Sequence, residues 1–212
     1  MARASEVEHA SLAIDGSELE VLSLDGVEGI STLFRFDLVA AAGAFAPEPE
    51  GLLAKEAVIT LRDGFGFERR IVGVVASARV QTFDSDSSRV HVTVRPKAYP
   101  ITLGRDCYVL QDVDVIDVAK DVLFDVKTPV RYEITGSYAK RAYCAQYRED
   151  DWTFLSRLLE EEGVYYWFDH DGGETTLVFS DSSVSAADLP GGPTIAFAYE
   201  TAMGHDAELV QE

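Results

Sequence analysis

Six carboxylates crowd one short stretch of this 212-residue chain: Glu149, Asp150, Asp151, Glu160, Glu161 and Glu162. Paired carboxylates a few ångströms apart are what a glycosidase uses as general acid and general base, so this stretch is the first candidate for chemistry. Its spacing argues for a different use. The first three acids stand where the positive end of a helix dipole would hold them, and the last three at the solvated far end of the same helix. No catalytic pair is expected. The four histidines, His9, His91, His170 and His205, are not within metal-ligand spacing of one another. Asp169-His170-Asp171 offers ligand atoms, but it reads as the Asp- and Gly-rich tip of a hairpin. No Gly-x-Ser-x-Gly, Walker loop or dinucleotide fingerprint occurs, and Ser156 has no sequence-near histidine to activate it. Catalytic residues, cofactor and metal are all expected to be absent.

The elements that carry these residues are legible. Trp152, Leu155 and Leu159, with Phe154 and Leu158, form a wide apolar stripe that Asp150 can cap and Gly163 can stop, predicting a helix over 151–162. The Val164–Phe168 run is β-branched and aromatic, and its hairpin partner is expected over Thr175–Phe179. Tyr165, Tyr166, Trp167 and Phe168 are read as two faces of a buried strand rather than a base-stacking platform, since no Lys or Arg interleaves them. Tyr143 and Tyr147 are expected to flank that strand on its neighbour. Earlier, Val115, Val118, Ala119, Val122 and Leu123 recur at helical spacing, with Asp114 as N-cap and Pro129 beyond the end. This helix is expected to lie against the second sheet. Glu160, Glu161 and Glu162 sit at the negative end of a helix dipole, which disfavours each by a few tenths of a kcal/mol. Either solvent and nearby Lys or Arg side chains offset that, or basic groups of a neighbouring domain do.

The first hundred residues alternate with period two, as in Val90, Val92 and Val94 between Arg89, His91, Thr93 and Arg95, and in Phe34, Phe36 and Leu38. Asp15-Gly16, Asp25-Gly26 and Asp63-Gly64 read as hairpin turns between antiparallel strands. About seven short strands favour a closed barrel or a sandwich, with residues 40–49 as a loop excursion. The pattern changes near Leu103, which divides the chain into residues 1–103 and an α+β part over 104–190. Another turn follows at Pro190–Pro193, and the end at Glu212 carries no stop signal, as expected of a fragment.

With 37 Asp and Glu against 18 Lys and Arg, the formal net charge of −19 repels phosphate backbones, so nucleic acid and anionic membranes are poor partners. The two cysteines, Cys107 and Cys144, fit neither a zinc knuckle nor a disulfide framework and are expected to be reduced and buried. No apolar run suits a signal peptide or a membrane span, so cytoplasmic synthesis and no membrane insertion are expected.

The continuous stretch from Tyr143 to His170 resembles the signature block of the VgrG family of type VI secretion spike proteins and the related Rhs-type proteins. Its family-signature positions are Tyr143, Gln146, Tyr147, Arg148, Glu149, Asp151, Phe154, Arg157, Leu158, Glu160, Glu161, Glu162, Gly163 and Tyr166. Leu33–Leu38, Arg70–Val75, Leu110–Leu123 and Thr176–Asp181 resemble family segments in the same order, so the likeness covers residues 7–181. Departures are small: Asp150-Asp151 where the family more often has Thr-Asp, and Trp152 where it tends to have Phe. The resemblance implies a β-rich α+β protein, with an N-terminal antiparallel β-barrel of a phage-baseplate-hub kind followed by a smaller α+β domain with two helices and a β-hairpin. It makes 191–212 the start of a truncated second barrel. It further implies a structural, non-enzymatic part that forms a homotrimer in the full-length protein. That trimer would dock on Hcp tube rings, meet other baseplate proteins and effectors, assemble in the cytoplasm without a signal peptide, and leave through the type VI apparatus. The alternatives are a hub of a phage tail or other contractile-injection baseplate and, less favoured, a secreted hydrolase.

Overall fold

A computed structural model describes residues 10–42, 47–62, 68–84, 87–185, 196–197 and 209–210. The alternating segments become six strands: β1 (Ala10–Ile14), β2 (Ser17–Gly29), β3 (Thr32–Ala41), β4 (Glu56–Arg62), β5 (Glu68–Asp84) and β6 (Ser87–Arg95). They close into a barrel in the order β1-β2-β3-β6-β5-β4, every pairing antiparallel. Closure leaves no unpaired sheet edge, the problem that the alternating pattern posed. The apolar phase points inward: Leu12, Phe34, Leu38, Ile59, Ile71, Val75, Val90 and Val94 are all at most 1% exposed. The barrel has six strands rather than seven short ones. β2 and β5 run to 13 and 17 residues because β-bulges let a long strand bend round the barrel instead of ending.

Asp15-Gly16 turns as expected, both residues at positive φ (50° and 80°). Asp25-Gly26 does not turn. It lies inside β2, paired with Asp37 and Phe36, and a Cβ on Gly26 would run into the Phe36 ring. This glycine serves a close approach, and the reversal comes at Ile30-Ser31, with Ser31 at φ 52°. The Asp63-Gly64 and Pro190–Pro193 turns, and nearly all of 191–212, lie outside the described residues. Of the loop excursion expected over 40–49, residues 40–41 belong to β3, and at its end Pro49–Leu52 forms one helical turn, α1.

The later elements are β7 (Asp106–Leu110), α2 (Val115–Val122), β8 (Val130–Glu133), β9 (Cys144–Glu149), α3 (Asp151–Glu161), β10 (Tyr165–Asp169) and β11 (Thr176–Ser180). β10 and β11 form the expected hairpin. β8, for which the sequence carried no clear signal, adds to it in parallel, and β7 and β9 make a separate two-stranded ribbon. Asp114 caps α2 by accepting from the Ile116 and Asp117 amides at 2.9 and 3.0 Å. Val115, Val118, Ala119 and Leu123 share a core with Phe154, Leu155, Leu158, Leu159, Tyr166, Leu177 and Phe179. A second core fills the barrel. Met1–Asp181 is nevertheless one compact unit, and Ser182–Glu212 is another. In the latter, Ala196–Phe197 pairs in parallel with Leu209–Val210.

Candidate functional site

The signature residues converge where β9 turns into α3. Asp150 caps the helix, its carboxylate accepting from the Thr153 amide at 2.9 Å and the Thr153 hydroxyl at 2.7 Å. Gln146, 4% exposed, donates through its amide nitrogen to the Glu149 carbonyl at 2.9 Å and to the Asp151 carboxylate at 2.8 Å. Arg157 grips Glu149 from one turn further along, Nη2 at 2.8 Å and Nε at 3.1 Å. Nη2 also donates to the Ala145 carbonyl at 2.8 Å. Its guanidinium lies 5.2 Å from the centre of the Phe154 ring. The Arg157 hydrogen bond holds the Glu149 carboxyl below its ordinary value, opposite to what a general acid at neutral pH needs. Phe154 and Leu158 are core, and Tyr166 accepts a 3.3 Å hydrogen bond from the Trp152 indole. Burial pushes the Tyr166 hydroxyl up.

The far end of α3 closes on a Schellman pair, Val164 N–H to Leu159 C=O at 2.9 Å and Gly163 N–H to Glu160 C=O at 3.2 Å, with Gly163 at φ 73°. Arg141 donates to both Glu161 and Glu162, each at 2.7 Å. The acidic helix end therefore has its cation within the chain, and of the two readings raised by the dipole the nearby-arginine one accounts for these two acids. Glu160 stays exposed. Arg141 was not foreseen. The acidic run signalled a missing cation, but the bridge from Val113 to Arg141 that brings it there spans distant sequence.

Three signature residues lie outside this network. Tyr143 and Tyr147 are 65% and 68% exposed, and neither flanks the Tyr165–Asp169 strand, because β9 pairs with β7. Arg148 adopts φ 54° at a bulge opposite Asp106, its guanidinium 5.3 Å from the Tyr147 ring. Of the cysteines, only Cys144 is buried; Cys107 is exposed on β7.

His170 is no loose hairpin tip. It is 7% exposed, with Nε2 2.8 Å from Glu28 on the barrel and Nδ1 2.9 Å from the Thr175 hydroxyl, while that oxygen accepts from the Val72 amide at 2.9 Å. Both ring nitrogens are thereby engaged, one by the barrel and one by the hairpin's own Thr175. Arg69 holds Glu28 bidentately at 2.8 and 2.9 Å. Burial alone would raise the Glu28 carboxyl, but bonds from His170 and Arg69 bring it below its ordinary value. Beside this latch, Ser31 N–H donates to the Tyr166 carbonyl at 2.7 Å and Phe34 meets Phe168 edge-on at 5.0 Å. Nothing local in the sequence pointed to it, since its partners lie 103 and 142 residues apart. His9 and His205 lie outside the described residues.

Asp181, which closes the last family-like segment, accepts from the Thr135 and Gly136 amides and the Thr135 and Tyr138 hydroxyls, at 2.7–3.1 Å. The two amide bonds, ahead of the hydroxyls, hold its carboxyl down to about 2. Burial and Asp181 push Tyr138 up to about 12. An open cleft of about 660 Å³ runs between Glu56, Lys97, Tyr108, Asp121 and Asp151. Three of its acids are engaged, Glu56 by Lys97, Asp121 by the Tyr108 hydroxyl and Asp151 by Gln146. Among the described residues no helix is long and apolar enough to cross a membrane.

Residues 27–212 match the family model for the phage tail baseplate hub (GPD). The chain is 31% identical over 198 residues to the type VI secretion system spike protein VgrG1c of Pseudomonas aeruginosa, covering 93% of this chain and 27% of that protein. It is 34% identical to VgrG1b of the same organism, covering 77% of this chain and 22% of that protein. It thus spans about a quarter of the length of these curated relatives. Among solved structures it superimposes on the Escherichia coli c3393 protein, a type VI secretion component with structural similarity to the T4 tail proteins gp27 and gp5. The TM-score is 0.73 at 26% identity, over 84% of this chain and 52% of that one.

Proposed function

Because the chain belongs to the phage tail baseplate hub (GPD) family, we propose that it is a structural hub segment of a type VI secretion spike, with no active site of its own. In this reading it assembles as a homotrimer in the full-length protein, docks on Hcp tube rings, meets other baseplate proteins and effectors, and leaves the cell through the apparatus after cytoplasmic assembly. The observation that carries the reading is the likeness to spike proteins along 93% of the chain, joined to a signature block whose acids, the exposed Glu160 apart, are committed to a cap, a hydrogen bond from Gln146 and ion pairs. Residues 1–103 and 104–190 act as two modules, and 191–212 opens a further barrel. Gln146, Glu149, Asp151 and Arg157 of the signature serve to fix α3 on β9. Light scattering of this chain and of a longer piece of its parent protein, with and without Hcp rings, tests the assembly. A trimer of the longer piece that binds Hcp supports it, and monomers that bind none in both forms count against it. The family model's own description favours, as a second reading, a phage-tail hub; neighbouring genes for a secretion sheath and tube rather than a virion would decide. Peptidoglycan hydrolysis by the purified chain would overturn both.

A further inference from the structure

The open cleft of about 660 Å³ is walled by Glu56 of β4, Val74 of β5, Tyr108 of β7, Val122 of α2 and Asp151 of α3. That volume suits a small ligand or a short stretch of chain. Five carboxylates line it, Glu56, Asp106, Asp121, Asp125 and Asp151, against two ammonium groups, Lys97 and Lys127. Lys97 is spent on Glu56 at 2.7 Å, the one ion pair in the cleft among the described residues. The donors that reach three of the other acids are neutral: the Cys107 amide at Asp106, the Tyr108 hydroxyl at Asp121 and the Gln146 amide at Asp151. Such bonds orient a carboxylate without cancelling its charge, so four like charges share one concavity with a single unspent cation.

A buried acceptor points the same way. Gln146 is 4% exposed and spends its amide hydrogens on the Glu149 carbonyl and on Asp151, while its Oε1 has no donor among the described residues. Among those residues only Ser156 Oγ is both sealed from solvent and unpartnered. Gln146 Oε1 is therefore open, and the space that Gln146 lines is this cleft. Between the acceptors the lining is apolar, with Ile101, Val122 and Val126. Large apolar side chains continue from it onto the surface: Leu53 beside Ala54, Leu103 two residues past Ile101, and Phe124 beside Asp125, at 46%, 69% and 85% exposed. A small cation inside the cleft leaves those three in water, whereas a chain lying across it covers them.

We propose that the cleft is a docking site for a basic segment of a partner protein. An arginine of that segment lays its aliphatic stem on Ile101 and Val122 and brings its guanidinium among Gln146 Oε1 and the carboxylates of Asp121, Asp125 and Asp151. Apolar neighbours of that arginine cover Phe124 and Leu103. The fixed donors of a guanidinium serve several acceptors at once better than a compact ammonium does.

The probe is a capped pentapeptide, valine-arginine-leucine-arginine-valine, titrated into the 212-residue chain and followed by amide NMR. Its counterpart carries citrulline for arginine, which keeps the shape and loses the charge. Expected are saturable shifts confined to 53–56, 97–108, 121–127 and 146–151, with binding weakened about tenfold by citrulline. The Asp121→Asn/Asp125→Asn double variant should weaken the arginine peptide by a similar factor, and Phe124→Ser severalfold. Neither should lower the thermal midpoint, since all three side chains are exposed. Equal binding of the two peptides, shifts elsewhere or no shifts would overturn the proposal. So would agmatine binding as tightly as the arginine peptide, which would make the cleft a site for a small cation. Self-association of the chain that Asp121→Asn/Asp125→Asn abolishes would also overturn it, by assigning the cleft to a second copy. The comparison of peptides on the unmodified chain decides the matter even if a variant misfolds.

Discussion

Arg157 shows how one side chain turns an apparent acid-base cluster into scaffolding. It is bonded to Glu149 and to the Ala145 carbonyl at once, so Arg157→Ala takes from a half-buried carboxylate its counter-charge and from a carbonyl a donor. A loss of about 2 kcal/mol in urea unfolding is expected, with Arg157→Lys recovering only part of it because the forked geometry is lost. Asp181 makes a prediction about pH. Its folded value is depressed from 3.8 to about 2, so the stability it contributes is fully present above the ordinary carboxylate range and is lost as pH falls through the folded value. The thermal midpoints of the chain and of Asp181→Ala should therefore differ at neutral pH and converge from about pH 4 down to about pH 2. A constant gap through that window would contradict the assigned bonding. Both roles were half legible: Asp181 sat in a recognisable segment and Arg157 in a recognisable block, but a donor set drawn from residues 46 positions away leaves no local pattern.

At the scale of elements, α3 was readable almost to the residue because its cap, apolar stripe and glycine stop are all local. The β2–β3 reversal was misplaced for the opposite reason. Asp25-Gly26 carries the chemistry of a turn, yet the glycine is there to admit the Phe36 ring, a demand made by packing across strands. Gly26→Ala should therefore cost about 1–3 kcal/mol by overpacking, whereas a turn glycine on the surface would lose less. The hairpin β10–β11 depends on a contact outside itself. His170→Ala leaves Glu28 and Thr175 short of a partner and should cost about 2 kcal/mol. Faster hydrogen exchange at the Val72 amide would accompany it, and unchanged exchange there would show that the hairpin does not rely on the latch.

Over the whole molecule, two cores coexist in one compact unit. Both tryptophans, Trp152 and Trp167, lie in the later part, so fluorescence reports that part, while the amide NMR signals of β1–β6 report the barrel. Coincident urea transitions are expected for the unmodified chain. His170→Ala should pull them apart, with the fluorescence transition first. Separate transitions in the unmodified chain would mean that the two modules are energetically independent despite the latch.

The sequence by itself determined the β-rich first half, the α+β second half, the two capped helices and the family likeness, because alternation, capping and signature spacing are written in neighbouring residues. Only the tertiary structure decided that the barrel closes with six strands, that β8 pairs in parallel with β11, that Arg141 serves the acidic helix end, that His170 bolts hairpin to barrel, and that Tyr143 and Tyr147 face outward. Each of these joins residues far apart along the chain, or turns on which of two faces a strand covers. Hydrophobicity alone does not choose between such faces: a tyrosine on an alternating strand suits the core and an interface equally, and the neighbouring strand settles which one it meets.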